Sequence, residues 1–360
     1  VALKIALLGV GLIGGSIGLA ARRRVGAEVC GYDSDEQVRR RALQVGAIST
    51  QAADVANAVA GAQIVFVATP VGALAQTVRA ALDSAPADCV VSDVGSTKLV
   101  VAQAGEDERF IGGHPLAGAE TAGVQNARED LFDGATWYLT PARNSTAGVL
   151  YERLHGLLRR LGAQPRAIDA DAHDRLLACV SHLPHVLANV LAVEAQRMIG
   201  SGEHGSLLAV GPSFRDWARV AGANSSIWTD IYLANRDALI ESIDRFSALL
   251  DDARQTIASA QRDDVRAWNE NARDSREAVL GAGLAGGAPH ELRASVPNRP
   301  GVIADIALAL GQAGVNIADM ALSPSQDNRQ GVVSLWIAGD ENALRARELI
   351  AALGFPVAEA

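Results

Sequence analysis

The chain opens on short apolar runs, each separated from the next by a stretch whose apolar residues fall at helical spacing. "LKIALL", "AEVCGYD", "AQIVFVAT", "CVVSDV", "RFIGGH" and "TWYLTP" are apolar enough to read as strands buried on both faces. The alternation predicts a doubly wound, Rossmann-like parallel sheet covered by helices over residues 1–167. From 168 to 280 the β-type runs stop and apolar residues recur at helical spacing, as in "DRLLACVSHLPHVLANVLAVEAQRM". This predicts an all-helical domain with more apolar surface than a lone bundle buries, and so a homodimer packed through it. "GAGLAGGAP" at 281–289 has linker composition. The remaining residues, 290–360, read β-α-β-β-α with "FPVAEA" as a last strand, a small ferredoxin-like βαββαβ module.

Composition narrows the partners. An apolar share of 49% against 20% charged residues supports packed cores. A net charge of -9 disfavours nucleic acid and anionic membranes, which leaves a small molecule as the expected partner. Cys30, Cys89 and Cys179 are odd in number and in no CxxC pattern, so neither a disulfide framework nor a thiolate metal site is expected. The apolar run from Leu3 to Ala21 is followed, not preceded, by Arg22, Arg23 and Arg24, which argues against a signal peptide and for a cytoplasmic setting. Lys4 and Lys98 are the only lysines against 30 arginines, so each lysine is less expected by chance.

Gly9-Val10-Gly11-Leu12-Ile13-Gly14 fits G-x-G-x-x-G directly after a strand and at the start of a helix. There Gly9 permits the tight turn, Gly11 lets backbone approach a pyrophosphate, and Gly14 lets helix pack on strand. Asp33 ends the next strand, where a carboxylate accepts hydrogen bonds from ribose hydroxyls and repels a 2′-phosphate. NAD is therefore favoured over NADP, although Arg39, Arg40 and Arg41 keep a phosphate partner open. Leu12 and Ile13 in the glycine loop, with Thr69 and Pro70 at the end of "AQIVFVAT", complete the cofactor set.

In a doubly wound sheet, ligands sit beyond the carboxyl ends of the strands. "SDVGSTK" and "GGHPLAG" both follow strands, so Ser96, Lys98 and His114 converge near the nicotinamide. Hydride abstraction from a carbon bearing a hydroxyl needs an acceptor for that hydroxyl's hydrogen bond, and histidine suits the role. In the helical region His182 and His185 share a face, with His173 and Asp171 upstream. Zinc ligation and plain hydrogen-bonded packing compete there with a pocket role.

"GLIGGSIGLA", "DVGSTK", "GGHPLAGAETAG", "DAHDRLLACVSHLPH" and "FRDWARVAGANSSIW", in this order, closely resemble the prephenate/arogenate dehydrogenases of tyrosine biosynthesis. The resemblance runs to about Leu280. It implies NAD-dependent oxidative decarboxylation of prephenate to 4-hydroxyphenylpyruvate, with arogenate as the alternative substrate. It implies that His114 contacts the substrate hydroxyl and Ser96 helps to orient it. It further implies that Arg219 anchors a substrate carboxylate, that His185 lines the pocket with Trp228 as a ring wall, and that His173 and Asp216 form an ion pair near the entrance. Glu120 looks like a carboxylate in the pocket or just behind it, and Lys98 matches the family's loop lysine, which either touches ligand or secures the loop; it is placed among the substrate contacts. Ala223 stands where many relatives carry serine. No metal is implied.

"VPNRPGVIADIALALGQAGVNIADMAL" resembles the ACT domain, an amino-acid-sensing module. The resemblance places an effector against Asn298, Gly301 and Asn316. Joined to a tyrosine-pathway enzyme, such a module implies feedback inhibition by tyrosine.

Overall fold

The computed structural model describes residues 2–102, 107–118, 121–141, 148–200, 211–282, 289–297, 299, 302–315, 317–325 and 330–359. Glu120, Asn298, Gly301, Asn316 and most of the glycine-rich stretch at 281–289 lie outside them. The chain forms two compact units, Val1–Phe246 and Ser247–Ala360.

In the first unit, β1 (Lys4–Leu8), β2 (Glu28–Tyr32), β3 (Thr50–Gln51), β4 (Ile64–Val67) and β5 (Val90–Asp93) form a parallel sheet in the order β3-β2-β1-β4-β5. Its cover comes from α1 (Leu12–Ala20), α2 (Glu36–Gln44), α3 (Val55–Val59) and α4 (Val71–Ser84). Strand pleating sends Ile5 and Leu7 into one core and Ala6 and Leu8 into the other, which is why β1 has no polar side. The short α5 (Leu99–Ala102) follows β5.

Beyond β5 the expected all-parallel order changes. β6 (Ile111–Pro115), β7 (Thr136–Pro141) and β8 (Gln164–Ala167) form a second sheet in which β6 and β7 run antiparallel and β7 and β8 parallel. A parallel return needs a helical crossover. Among the described residues, the β6–β7 connection holds only the three-residue turn Val124–Asn126, whereas β7 reaches β8 through the 13-residue α6 (Gly148–Arg160). A single parallel bridge, Val91 to Phe110, links the start of this sheet to β5.

The helical region begins with α7 (Ala170–Leu177), a π-helical turn over Ala178–His182, and α8 (Leu183–Gly200). It continues with α9 (Pro212–Ala218), α10 (Ser225–Ala234), α11 (Arg236–Ala258) and α12 (Arg262–Ala282). The stretch Ala170–Met198 is long enough to cross a membrane and contains an 18-residue window apolar enough to do so, of mean hydropathy 1.7. It nevertheless carries four buried ionisable side chains, His173, Asp174, His182 and His185, and it exposes Val190, Val193 and Met198.

In the second unit, β9 (Pro289–Pro297), α13 (Val302–Gln312), β10 (Ile317–Pro324), β11 (Gln330–Ala338), α14 (Asp340–Ala352) and β12 (Val357–Glu359) give the predicted βαββαβ order. The antiparallel sheet runs β10-β11-β9-β12. Leu292, Ala294, Val333, Leu335 and Ile337 pack with Ile306, Leu310 and Ile350 of the two helices. Across this unit, the Arg276 guanidinium lies 5.2 Å from the Trp336 ring centroid, within cation–π range.

Candidate active site

The glycine loop has a separate geometric demand at each glycine. Gly9 has φ +91, and a Cβ there would stand 2.5 Å from the Ala68 carbonyl oxygen. A Cβ on Gly14 would stand 2.1 Å from the Gly9 oxygen, so helix and turn touch through backbone. Gly11 is the opposite case: a Cβ would meet nothing within 4 Å, which leaves the open approach that a pyrophosphate needs in front of α1. Asp33 closes the cradle, its Oδ2 accepting the Val10 N–H at 3.0 Å and its Oδ1 the Asp35 N–H at 3.1 Å. Thr69, two residues past β4, has a buried hydroxyl with no hydrogen-bond partner, an unmet polar group beside the glycine loop's Ala68 contact. These features fit a bound dinucleotide. Pro70 is exposed and caps α4. Arg40 pairs with Glu36 and Arg41 with Gln44 on the surface of α2, while Arg39 donates to the Asp33 carbonyl oxygen.

In the second sheet, β6 brings His114 against α7. His114 Nδ1 lies 2.9 Å from His173 Nε2, and His173 Nδ1 lies 2.8 Å from Asp174 Oδ1. Asp174 accepts the backbone N–H of Lys98 at 2.7 Å and of Leu99 at 2.9 Å. Burial holds the His114 pKa well below the ordinary histidine value, reinforced by the neighbouring His173, Lys98 and His182. His114 is therefore a neutral imidazole at physiological pH, able to accept a hydrogen bond. Asn235, at the end of α10, ties this cluster to the next, donating to the Asp174 carbonyl oxygen at 2.8 Å and lying 3.0 Å from His182 Nδ1. Burial pushes the His182 pKa down to about 4, opposed by Asp174.

The second cluster is an aromatic wall. Trp228 stacks on His185 with ring centroids 3.6 Å apart and planes 9° from parallel, and His185 Nδ1 bonds the Tyr232 hydroxyl. Burial lowers the His185 pKa, opposed by the Val220 backbone. That backbone contact brings the turn Arg219–Gly222, and with it the exposed Arg219, next to the wall. Ser96 is half-buried in the loop after β5.

Two expectations are corrected by packing. Lys98 is not a pocket residue: its side chain is 0% exposed, paired with Asp93 and donating to the Gly113 carbonyl oxygen at 2.6 Å. Burial pulls its pKa down and Asp93 opposes the shift. The partner of His173 is not Asp216, which is exposed on α9, but Asp174, which follows it in the chain. Asp171, considered with the histidines, instead pairs with Arg175 at the surface. Gly112 and Gly113 serve packing: a Cβ on the first would meet Thr140 Oγ1 at 2.3 Å, and on the second the Asp93 oxygen at 2.6 Å.

Residues 17–165 match the family described as prephenate dehydrogenase, nucleotide-binding domain, and residues 169–270 match prephenate dehydrogenase, dimerization domain. The chain belongs to the prephenate dehydrogenase family. Residues 290–353 match the ACT domain. Prephenate dehydrogenase of Bacillus subtilis (strain 168) is 29% identical over 357 residues, covering 97% of this chain and 95% of its own length. Cyclohexadienyl dehydrogenase of Zymomonas mobilis is 32% identical over 268 residues, covering 72% of this chain and 90% of its own length. A. aeolicus prephenate dehydrogenase, solved with hydroxyphenyl propionate and NAD+, shares the fold at 24% identity with a TM-score of 0.71, over 78% of this chain and 99% of that one.

The protein is thus an oxidoreductase of the prephenate/arogenate dehydrogenase class. The His114–His173 contact joins the two matched prephenate dehydrogenase regions, because His114 lies in the first and His173, Asp174, His185, Arg219 and Trp228 in the second. Sequence reasoning missed Asp93, Asp174, Tyr232 and Asn235. The available signal was a carboxylate, Asp174, directly following a motif histidine at the start of an apolar helical run.

Proposed function

We propose that the protein catalyses NAD-dependent oxidative decarboxylation of prephenate to 4-hydroxyphenylpyruvate and CO2. The observation that carries this reading is the buried His114 of β6, held neutral and in contact with His173, in a chain whose glycine loop and Asp33 form a dinucleotide cradle. Gly9, Gly11, Gly14, Asp33 and Thr69 would hold NAD+, which supplies the hydride acceptor when bound. His114 accepts the hydrogen bond of the hydroxyl on the reacting ring carbon as that C–O bond gains carbonyl character. Ser96 orients this hydroxyl. Trp228 and His185 wall the ring, so positioning does much of the work while aromatisation drives CO2 loss. Arg219 anchors a carboxylate of the substrate through its planar guanidinium. Tight binding of the departing carboxylate would stabilise the ground state, so Arg219 acts on substrate affinity more than on turnover. The Asp33 carboxylate and the surface pairing of Arg40 and Arg41 favour NAD over NADP.

The likeness to a cyclohexadienyl dehydrogenase at 32% identity favours arogenate as a second substrate. We assign the exposed apolar side of α8 to a second copy of the chain, in a cytoplasmic homodimer, and the ACT domain to feedback inhibition by tyrosine through Asn298, Gly301 and Asn316.

NADH formation from prephenate and from arogenate, with NAD+ and NADP+ compared, tests the reading. Wild type turns over at least prephenate, and His114→Ala loses a factor on the order of 10²–10⁴. Failure of wild type with both substrates refutes the assignment. Tyrosine added to the full chain and to an Asn298→Ala, Asn316→Ala variant tests regulation; equal inhibition of both removes those positions from it.

A further inference from the structure

We infer that His173 and Asp174 form a closed positioning relay behind His114. The relay fixes His114 in the Nδ1–H tautomer, so that its Nε2 carries the lone pair offered to the substrate hydroxyl. The inference rests on the oxidative decarboxylation proposed above.

The tautomers follow from the hydrogen bonds, starting at the buried end. Asp174 Oδ1 accepts the Lys98 N–H and Oδ2 the Leu99 N–H. Both oxygens thus face donors, so Asp174 takes the acceptor role and His173 Nδ1, 2.8 Å from Oδ1, donates. With its proton on Nδ1, a singly protonated His173 holds its lone pair on Nε2. The 2.9 Å contact to His114 Nδ1 makes that nitrogen the donor. Nε2 is left as the acceptor of His114, the form a general base requires. A lone buried imidazole would be free to take either tautomer, and only one of them is competent.

The stoichiometry suits a closed chain. Loss of hydride from the ring carbon and of CO2 from the opposite carbon turns a dianionic substrate into a monoanionic product with no net proton released. The hydroxyl proton that His114 takes as carbonyl character develops returns to the same oxygen as the ring becomes a phenol. Such a base needs no outlet to solvent, and among the described residues the partners behind His114 offer none. His173 and Asp174 are 0% exposed, and the relay ends on two backbone amides. While His114 holds the proton, Asp174 sits one ring away as its countercharge, an arrangement that lowers the cost of a buried imidazolium. The charged and titratable groups around the relay are Lys98 with its partner Asp93 on the β5 side, His182 from the π-helical turn, and the Tyr138 ring, whose centroid lies 5.6 Å from that of His173. Lys98 is engaged with Asp93 and Gly113, so it does not compete for His114 Nδ1.

The test has two arms on the full-length protein. In the first, without substrate, nitrogen-15 histidine spectra at neutral pH report which ring nitrogen of His114 carries hydrogen, with His114→Gln giving the assignment. Wild type shows Nδ1–H, and His173→Leu shows Nε2–H or a mixture. A mixture or Nε2–H in wild type, or an unchanged tautomer in His173→Leu, overturns the inference. In the second arm, kcat for His173→Leu falls on the order of 100-fold, the lower end of a general-base contribution, with KM changed less than about threefold. His173→Gln, whose amide oxygen can accept from His114 Nδ1, recovers about tenfold of that loss. Equal losses in both variants, or a loss confined to KM, overturn the inference. If the leucine variant does not fold, the wild-type spectrum and the kcat of the glutamine variant decide. A wild type that turns over neither prephenate nor arogenate refutes the proposed reaction instead, while the tautomer measurement stands apart from it.

Discussion

Replacing Lys98 by methionine separates two readings of the lone loop lysine, ligand contact and loop anchor. The side chains of Lys98 and Asp93 are both 0% exposed, and the ammonium also bonds the Gly113 carbonyl oxygen. Methionine fills much of the same volume but leaves the Asp93 carboxylate buried without its cation. Breaking a buried pair by removing one partner costs about 3–5 kcal/mol. Asp93 keeps the N–H groups of Gly95 at 2.8 Å and Gly113 at 3.0 Å, so the lower end, about 3 kcal/mol, is expected. At ~2 cal/mol/K per residue over a unit of this size, that lowers its melting temperature by roughly 6 °C. Because the chain has two compact units, the measurement is calorimetric and assigned to the transition that NAD+ shifts upward. Turnover should fall as well, since Gly113 is held from both sides by this pair and carries His114 as its neighbour. A melting temperature unchanged within about 1 °C, combined with a raised KM, would refute the anchor and restore Lys98 as a ligand contact.

Gly14→Ala forces a Cβ to within 2.1 Å of the Gly9 carbonyl oxygen, so the start of α1 must shift. At about 1–3 kcal/mol for such overpacking, NAD+ binding measured by titration calorimetry should weaken roughly ten- to hundredfold, and unchanged affinity would contradict the cradle. Acid stability is a further check: His182 is held neutral, its pKa lowered from 6.5 to about 4, so its contribution is fully present above pH 6.5 and lost as pH falls toward 4. That shift corresponds to about 3 kcal/mol, read as a falling urea midpoint between pH 7 and 4 that a His182→Asn variant flattens. An identical slope in the variant would assign the acid loss elsewhere.

What was legible in the sequence follows from how local each signal is. β4 and all of β1 but Lys4 are buried and show it as unbroken apolar runs. β8 escaped because "QPRA" is a largely exposed edge strand with proline in it. The direction of β7 is not written in its residues at all but in the connection before it, which among the described residues holds no crossover helix. The dinucleotide cradle was legible because its demands are met by consecutive residues. In the acid–base cluster the motif histidines stood out, but the partner of His173 did not. Asp174 meets Lys98 and Leu99 across 76 and 75 residues of chain, and only packing shows that it, not Asp171 or Asp216, turns inward. Lys98 was misplaced for the same reason, its partner Asp93 being five residues away on the far side of a tight loop.

The π-helical turn over Ala178–His182 makes the site sensitive to counting as well as to chemistry. A π turn accommodates one residue more than an α turn, so the helix on its far side is rotated by about 100° from where an unbroken α-helix would carry it. His173 and Asp174 before the turn and His185 after it are both aimed inward under that offset. Deleting any single residue from 178 to 181, even one whose side chain touches nothing, would turn Trp228's stacking partner away from the pocket while leaving His114, His173 and Asp174 in place. In this segment length is itself a functional specification, and a catalogue of substitutions would not reveal it.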